Sequence, residues 1–168
     1  MSRRLIIGLI TASVGVMVGF LFWPLLSMLE IVDGRVGAVV FCARVDPGEE
    51  FILSFVHSVN RRPVYDTLRV EADHLVIVKS RFDSFGAGMP DMTTPEGTLT
   101  VVENGWLEWT VNRPTPEITV RVGRVADHTV HCKGRVIHLS DLAEPGSALT
   151  LRVRKSRWID FMKNRCIQ

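Results

Sequence analysis

At 168 residues and 46% apolar content, the chain can build one domain with a substantial core and hardly two. A net charge of +2 gives no electrostatic case for nucleic acid, and no strand interleaves aromatic with basic residues as a base-stacking surface would.

The first element in chain order is an uncharged run from Leu5 to Leu29, LIIGLITASVGVMVGFLFWPLLSML. As a helix it would reach roughly 37 Å, enough to cross a bilayer core of about 30 Å. Arg3 and Arg4 precede it, while Glu30 and Asp33 follow it. The positive-inside bias therefore predicts a cytoplasmic N-terminus and a single-pass anchor in the inner membrane over residues 1–30, contacting lipid through 5–29. The remainder is expected in the periplasm or at the cell exterior. A cleaved signal peptide is the competing expectation; the run exceeds a typical signal core, and no A-x-A-like site follows closely.

Beyond the anchor, ten segments read as strands: VGAVVFCARV, EEFILSFVHSV, PVYDTLRVE, HLVIVKSRF, GTLTVVE, WLEWTV, EITVRVG, HTVHC, RVIHL and ALTLRVR. They are short, rich in β-branched and aromatic residues, and separated by turn chemistry. Asn104-Gly105 predicts a type I′ hairpin, and Asp46-Pro47-Gly48 and Lys133-Gly134 are loop signals. The predicted fold over 36–155 is all-β, an antiparallel sandwich or open barrel preceded by one N-terminal transmembrane helix. A single helical turn is predicted at Ser140–Glu144. A basic tail over 156–168 is predicted to be helical from Ser156 to Arg165, suited to a membrane surface or a protein partner.

If Asn60–Pro63 forms a four-residue hairpin loop, then Val59 faces Val64, His57 faces Asp66, Phe55 faces Leu68 and Leu53 faces Val70. A tight turn at Ala72-Asp73 continues the register: Val70 faces Leu75, Leu68 faces Ile77, Asp66 faces Lys79 and Val64 faces Arg81. The expectation is an apolar inner face ending in a polar row of His57, Asp66 and Lys79, with Arg81 beside it. The following segment SRFDSFGAGMP is unusually long and glycine-rich for a strand connection. It is expected to close over that row as the wall of a polar pocket, with Ser84, Gly86 and Gly88 at the contact. The competing expectations are a purely structural ionic network, and glycines that serve only a positive φ.

Other constellations are weaker. Ser58 adjoins His57, and neighbours on a strand point to opposite faces, which rules out a joint nucleophile and base. His128 and His131 fall on opposite sides of a strand, so no metal site is predicted, and no cofactor. Trp106 and Trp109 also alternate, one expected inside and one outside. Cys42, Cys132 and Cys166 are an odd number and lack a C-x-x-C spacing, so at least one thiol is unpaired, expected at Cys166 in the tail.

Together HSVNRRPVYDTLRVE, SRFDSFGAGMP and VRVGRVADHTV resemble the bacterial domain-of-unknown-function 1850 family, small exported β-proteins often encoded beside, or fused to, permeases of TAXI-type TRAP transporters. The likeness covers roughly Val36 to Val153. It implies motif positions at His57, Ser58 and Val59, an acidic position at Asp66 where the family is associated with glutamate, and Ser84, Phe85, Gly86, Gly88 and Pro90. It also implies a TRAP permease or its solute receptor as partner. The expectation is a membrane-anchored accessory or binding module of such an uptake system, more a binder than an enzyme. The alternative is an exported enzyme using a His57–Asp66 cross-strand pair.

Overall fold

A computed structural model of the chain describes residues 7, 8, 11–15, 19, 23 and 26–157. Eleven strands form two antiparallel sheets: β1 Leu26–Asp33, β2 Val39–Val45, β3 Glu50–Val56, β4 Pro63–Val70, β5 Leu75–Phe82, β6 Thr98–Val101, β7 Leu107–Thr115, β8 Glu117–Arg121, β9 Thr129–Cys132, β10 Arg135–His138 and β11 Ala148–Ser156. One sheet runs β2-β1-β11-β8, the other β10-β9-β3-β4-β5-β7-β6. Two short 3₁₀ turns, Glu103–Gly105 and Leu139–Asp141, complete the described elements.

All ten segments expected as strands are strands. The eleventh, β1, lies partly inside the run assigned to the anchor. Leu26–Leu29 pair with β11 and β2, so a membrane segment cannot extend to Leu29. Among the described residues no helix is long and apolar enough to cross a membrane; residues 7, 8, 11–15 and 19 are helical. β1 is hidden in sequence because it is buried on both faces, and its apolar residues lack the alternation that marks a half-exposed strand. Leu29 and Ile31 enter the main core, whereas Leu26 and Met28 cluster with Cys42. Glu30, buried, is held by its cross-strand neighbour Arg152, whose Nε and Nη2 donate to Oε2 at 3.0 and 2.9 Å.

The core lies between the sheets. Phe51, Leu53, Leu68, Val70, Leu75, Val130 and Cys132 meet Leu29, Ile31, Ala43, Val45, Leu149, Leu151 and Val153. A second cluster of Val64, Phe82 and Leu107, joined by Phe55, Met89, Leu99 and Trp109, occupies the other end of the larger sheet. Each fully buried apolar side chain contributes about 1.5–3 kcal/mol.

Asn104 and Gly105 both have positive φ, 61° and 76°, and join β6 to β7 as the Asn-Gly signal requires. The turn expected near Ser140 is the 3₁₀ turn at Leu139–Asp141. Ser156 ends β11, so the tail cannot begin there as a helix; the rest of that expectation, and Cys166, lie outside the described residues. Cys42 is disulfide-bonded, and Cys132 is a free, buried thiol.

Candidate functional site

The β3–β4 connection is longer than expected, and its register follows. Val56 pairs with Pro63 and Phe55 with Val64, so the loop spans the six residues His57–Arg62. His57 N donates to Arg62 O and Arg61 N to His57 O, and Arg61 takes the left-handed φ of 55°. Every β4 residue therefore pairs four residues earlier on β3 than expected. Asp66 faces Leu53, and the expected His57–Asp66 cross-strand pair does not exist.

A bulge makes the second correction. Val70↔Leu75 and Leu68↔Ile77 pair as expected, but between Leu68 and Thr67 the register shifts, so Thr67 faces Lys79 and Asp66 faces Ser80. The residue passed over on β5 is Val78. An extra residue on one strand reverses which side chains share a face beyond it. Lys79 and Arg81 are thereby carried to the outer face. There Lys79 Nζ lies 3.0 Å and Arg81 Nε 3.8 Å from Glu108 Oε2, and Arg81 sits 5.9 Å from the Trp106 ring, which neighbours Tyr65. The two tryptophans do divide as expected: Trp109 packs on the second core cluster and Trp106 lines this outer groove.

The same bulge places Ser80 on the inner face, where its hydroxyl donates to Asp66 Oδ1 at 2.5 Å. Around this pair lies a cavity of about 500 Å³, lined by Phe55, Val64, Phe82, Met89, His57 and His128, with Val56, Ser58, Gly88, Pro90 and Ala126 completing the wall. So His57, Asp66 and Gly88 do share a pocket, through a geometry other than the expected one. Ser58 also lines it, since β3 ends at Val56 and strand alternation no longer separates the two neighbours. Ser80 and His128 were not legible as site residues. Nothing in the sequence marks the bulge, and His128 precedes β9 rather than alternating within it.

The SFGAGMP segment does close over one end of this space. Asn60 Nδ2 donates to Ser84 O at 3.2 Å and to Phe85 O at 3.1 Å, and His57 Nε2 lies 3.3 Å from Ala87 O. Arg62 adds a salt bridge to Asp83 that holds the Asp83 carboxyl below its ordinary value. Gly86 is needed for this closeness: a Cβ there would lie 3.0 Å from both Asn60 Nδ2 and His57 Cε1. Gly88 has open space but a φ of +81°, a conformation L residues rarely adopt. Ser84 does not line the cavity; its hydroxyl contacts Phe85 O at 3.4 Å.

Burial sets the electrostatics. Desolvation pushes the Asp66 carboxyl above its ordinary value, with the Ser80 hydrogen bond and the charge of Arg113 pulling partly back. Desolvation also depresses His128, whose ring packs 5.5 Å from Phe55 and whose buried Nδ1 has no hydrogen-bond partner among the described residues. His57 Nδ1 accepts from Val59 N while Nε2 donates to Ala87 O, so both of its nitrogens are engaged in holding the loops. Among the described residues no group of three or more His, Cys, Asp or Glu is placed to hold a metal ion.

A family model described as "Domain of unknown function (DUF1850)" matches residues 51–139, more than half of the chain. The chain belongs to this family. The DUF1850 span contains both loops and every residue lining the cavity, and stops short of β1, β2 and β11. No curated protein and no solved structure matches the chain.

Proposed function

We propose that this DUF1850 protein is an exported, membrane-tethered binding module that receives a small solute in the cavity beside Asp66 and Ser80, as an accessory to a TRAP-type uptake system. The observation that carries the reading is the cavity itself: a mostly apolar space with a few convergent polar groups, walled by two loops that are clasped together, is the usual form of a small-molecule site. A receptor fits its chemistry better than a catalyst, because both His57 nitrogens are already bonded and the Ser80 hydroxyl is donated to a carboxylate.

The tether rests on sequence. The uncharged run ahead of β1, residues 5–25, would reach roughly 31 Å as a helix, about the thickness of the bilayer core. A disulfide at Cys42 accords with an oxidising compartment. The TRAP connection rests on the family's resemblance alone.

Two experiments test this. Full-length protein should stay in the membrane pellet after alkaline carbonate washing, and a freely soluble, shortened form would remove the tether. A thermal-shift screen of small organic solutes should find one that raises the melting temperature of the parent but not of Ser58→Trp, which fills the exposed rim. A ligand at 100 times its Kd stabilises by about 2.7 kcal/mol. Stabilising solutes that act equally on both proteins would place binding elsewhere.

A further inference from the structure

We propose that the cavity selects solutes bearing an ammonium group, held on the carboxylate of Asp66. This rests on the reading of the cavity as the binding site, and adds the sign of the ligand's charge.

With Lys79 and Arg81 lining it, as the sequence led one to expect, the pocket would attract anions. The bulge at Val78 reverses that. Asp66 is the one carboxylate among the lining residues, and no lysine or arginine accompanies it. The basic residues expected beside it, Lys79 and Arg81, are committed to Glu108 on the opposite face, and Arg62 is committed to Asp83. Arg113 acts on Asp66 through space but does not line the cavity. Ser80 supplies one hydrogen bond, to Oδ1, so the carboxylate retains acceptor capacity that a donor entering the cavity can use.

The remaining wall suits the same guest. Phe55 and Phe82 make that wall aromatic and uncharged, and Met89 gives a polarisable thioether. His128, its basicity lowered by burial, brings no competing positive charge. An ammonium group has several N–H donors and no acceptor, which matches a carboxylate. A carboxylate guest would meet Asp66 as a like charge, with no lysine or arginine lining the cavity to offset it.

A chain-matched series tests the charge. Full-length protein in detergent micelles is titrated with n-butylammonium, 1-butanol and butyrate, following the methyl NMR signals of Met89 and Val64. Butylammonium is expected to bind at least about tenfold more tightly than butanol, the size of a hydrogen bond to a charged group, and butyrate should not bind. Asp66→Asn, which keeps an acceptor for Ser80, should abolish the preference for the amine. Butanol or butyrate binding at these methyls as tightly as the amine overturns the cation assignment while leaving the cavity as a binding site. Silence of both methyls toward all three probes overturns the cavity reading along with it. Should Asp66→Asn fail to fold, the comparison of the three probes on the parent protein decides the matter alone.

Discussion

Ser80 and Asp66 face each other across β5 and β4, hydroxyl to carboxylate at 2.5 Å, on the inner side of the larger sheet. The carboxyl is pushed above its ordinary value of 3.8 chiefly by burial, which penalises the charged form. A folded carboxyl of raised pKa takes up its proton before the unfolded chain does, so acidification favours the fold. The gain accrues from the raised folded value down to the ordinary unfolded one. Asp66→Asn should accordingly be more stable than the parent at neutral pH, on the order of 1 kcal/mol. That advantage should shrink as pH falls toward 4. His128, depressed by burial, works the other way, losing stability as pH falls below about 6.5, but it is common to both proteins and cancels in the difference. Denaturant unfolding across pH checks this; a gap that does not change with pH would mean that Asp66 does not titrate as described.

The two loop glycines should separate cleanly. Gly88→Ala meets open space and strains only the backbone at φ +81°, at about 1 kcal/mol. Gly86→Ala drives a methyl to 3.0 Å from His57 and Asn60 and should unseat the clasp, moving the His57 and Asn60 resonances as well as lowering the melting temperature. Asn60→Ala, losing both hydrogen bonds to Ser84 O and Phe85 O, should cost about 0.5–1.5 kcal/mol per bond and give the same pattern. If Gly86→Ala and Gly88→Ala shift the same resonances, close approach is not what Gly86 provides.

Truncation tests the placement of β1. A chain starting at residue 36, the boundary expected from sequence, lacks a strand that pairs with both β2 and β11, and with it the core residues Leu29 and Ile31. It should not fold, whereas a chain starting at residue 26 should. In the full chain, Leu29→Ala should cost about 2–5 kcal/mol by circular dichroism melting.

The thiols give a fourth outcome. Alkylation in denaturant without reductant should modify Cys132 and leave Cys42 unmodified until reductant is added. Without denaturant, Cys132 should react slowly, because it is buried in the core. Cys42 labelling without reduction would contradict the bond.

Sequence periodicity carried most of the fold and part of the site. Ten strands were legible because Val, Ile and Thr alternate between turn signals such as Asn104-Gly105 and Lys133-Gly134. β1 was not, since a strand buried on both faces and preceded by an apolar run has the composition of a membrane segment. The Ala72-Asp73 turn set Val70↔Leu75 and Leu68↔Ile77 correctly, and one bulge then moved Lys79 and Arg81 away and brought Ser80 in. Bulges depend on how three strands accommodate one another; here β7 also shifts its register against β5, between Ile77 and Lys79. His57 and Asp66 reached one cavity all the same, because a six-residue loop folds His57 back over the inner face that Asp66 occupies.

Leu26 and Ser156 are opposite partners in the β1–β11 ladder. The first residue of β1 and the last of β11 thus lie in adjacent positions, about 4.5–5.5 Å apart at Cα. Such a fold can be spliced into the surface loop of a host polypeptide as a cassette, because the two cut ends of the loop need to separate by little more than one strand spacing. Fusion inside a larger carrier would then cost the carrier almost no rearrangement, and either junction could be short.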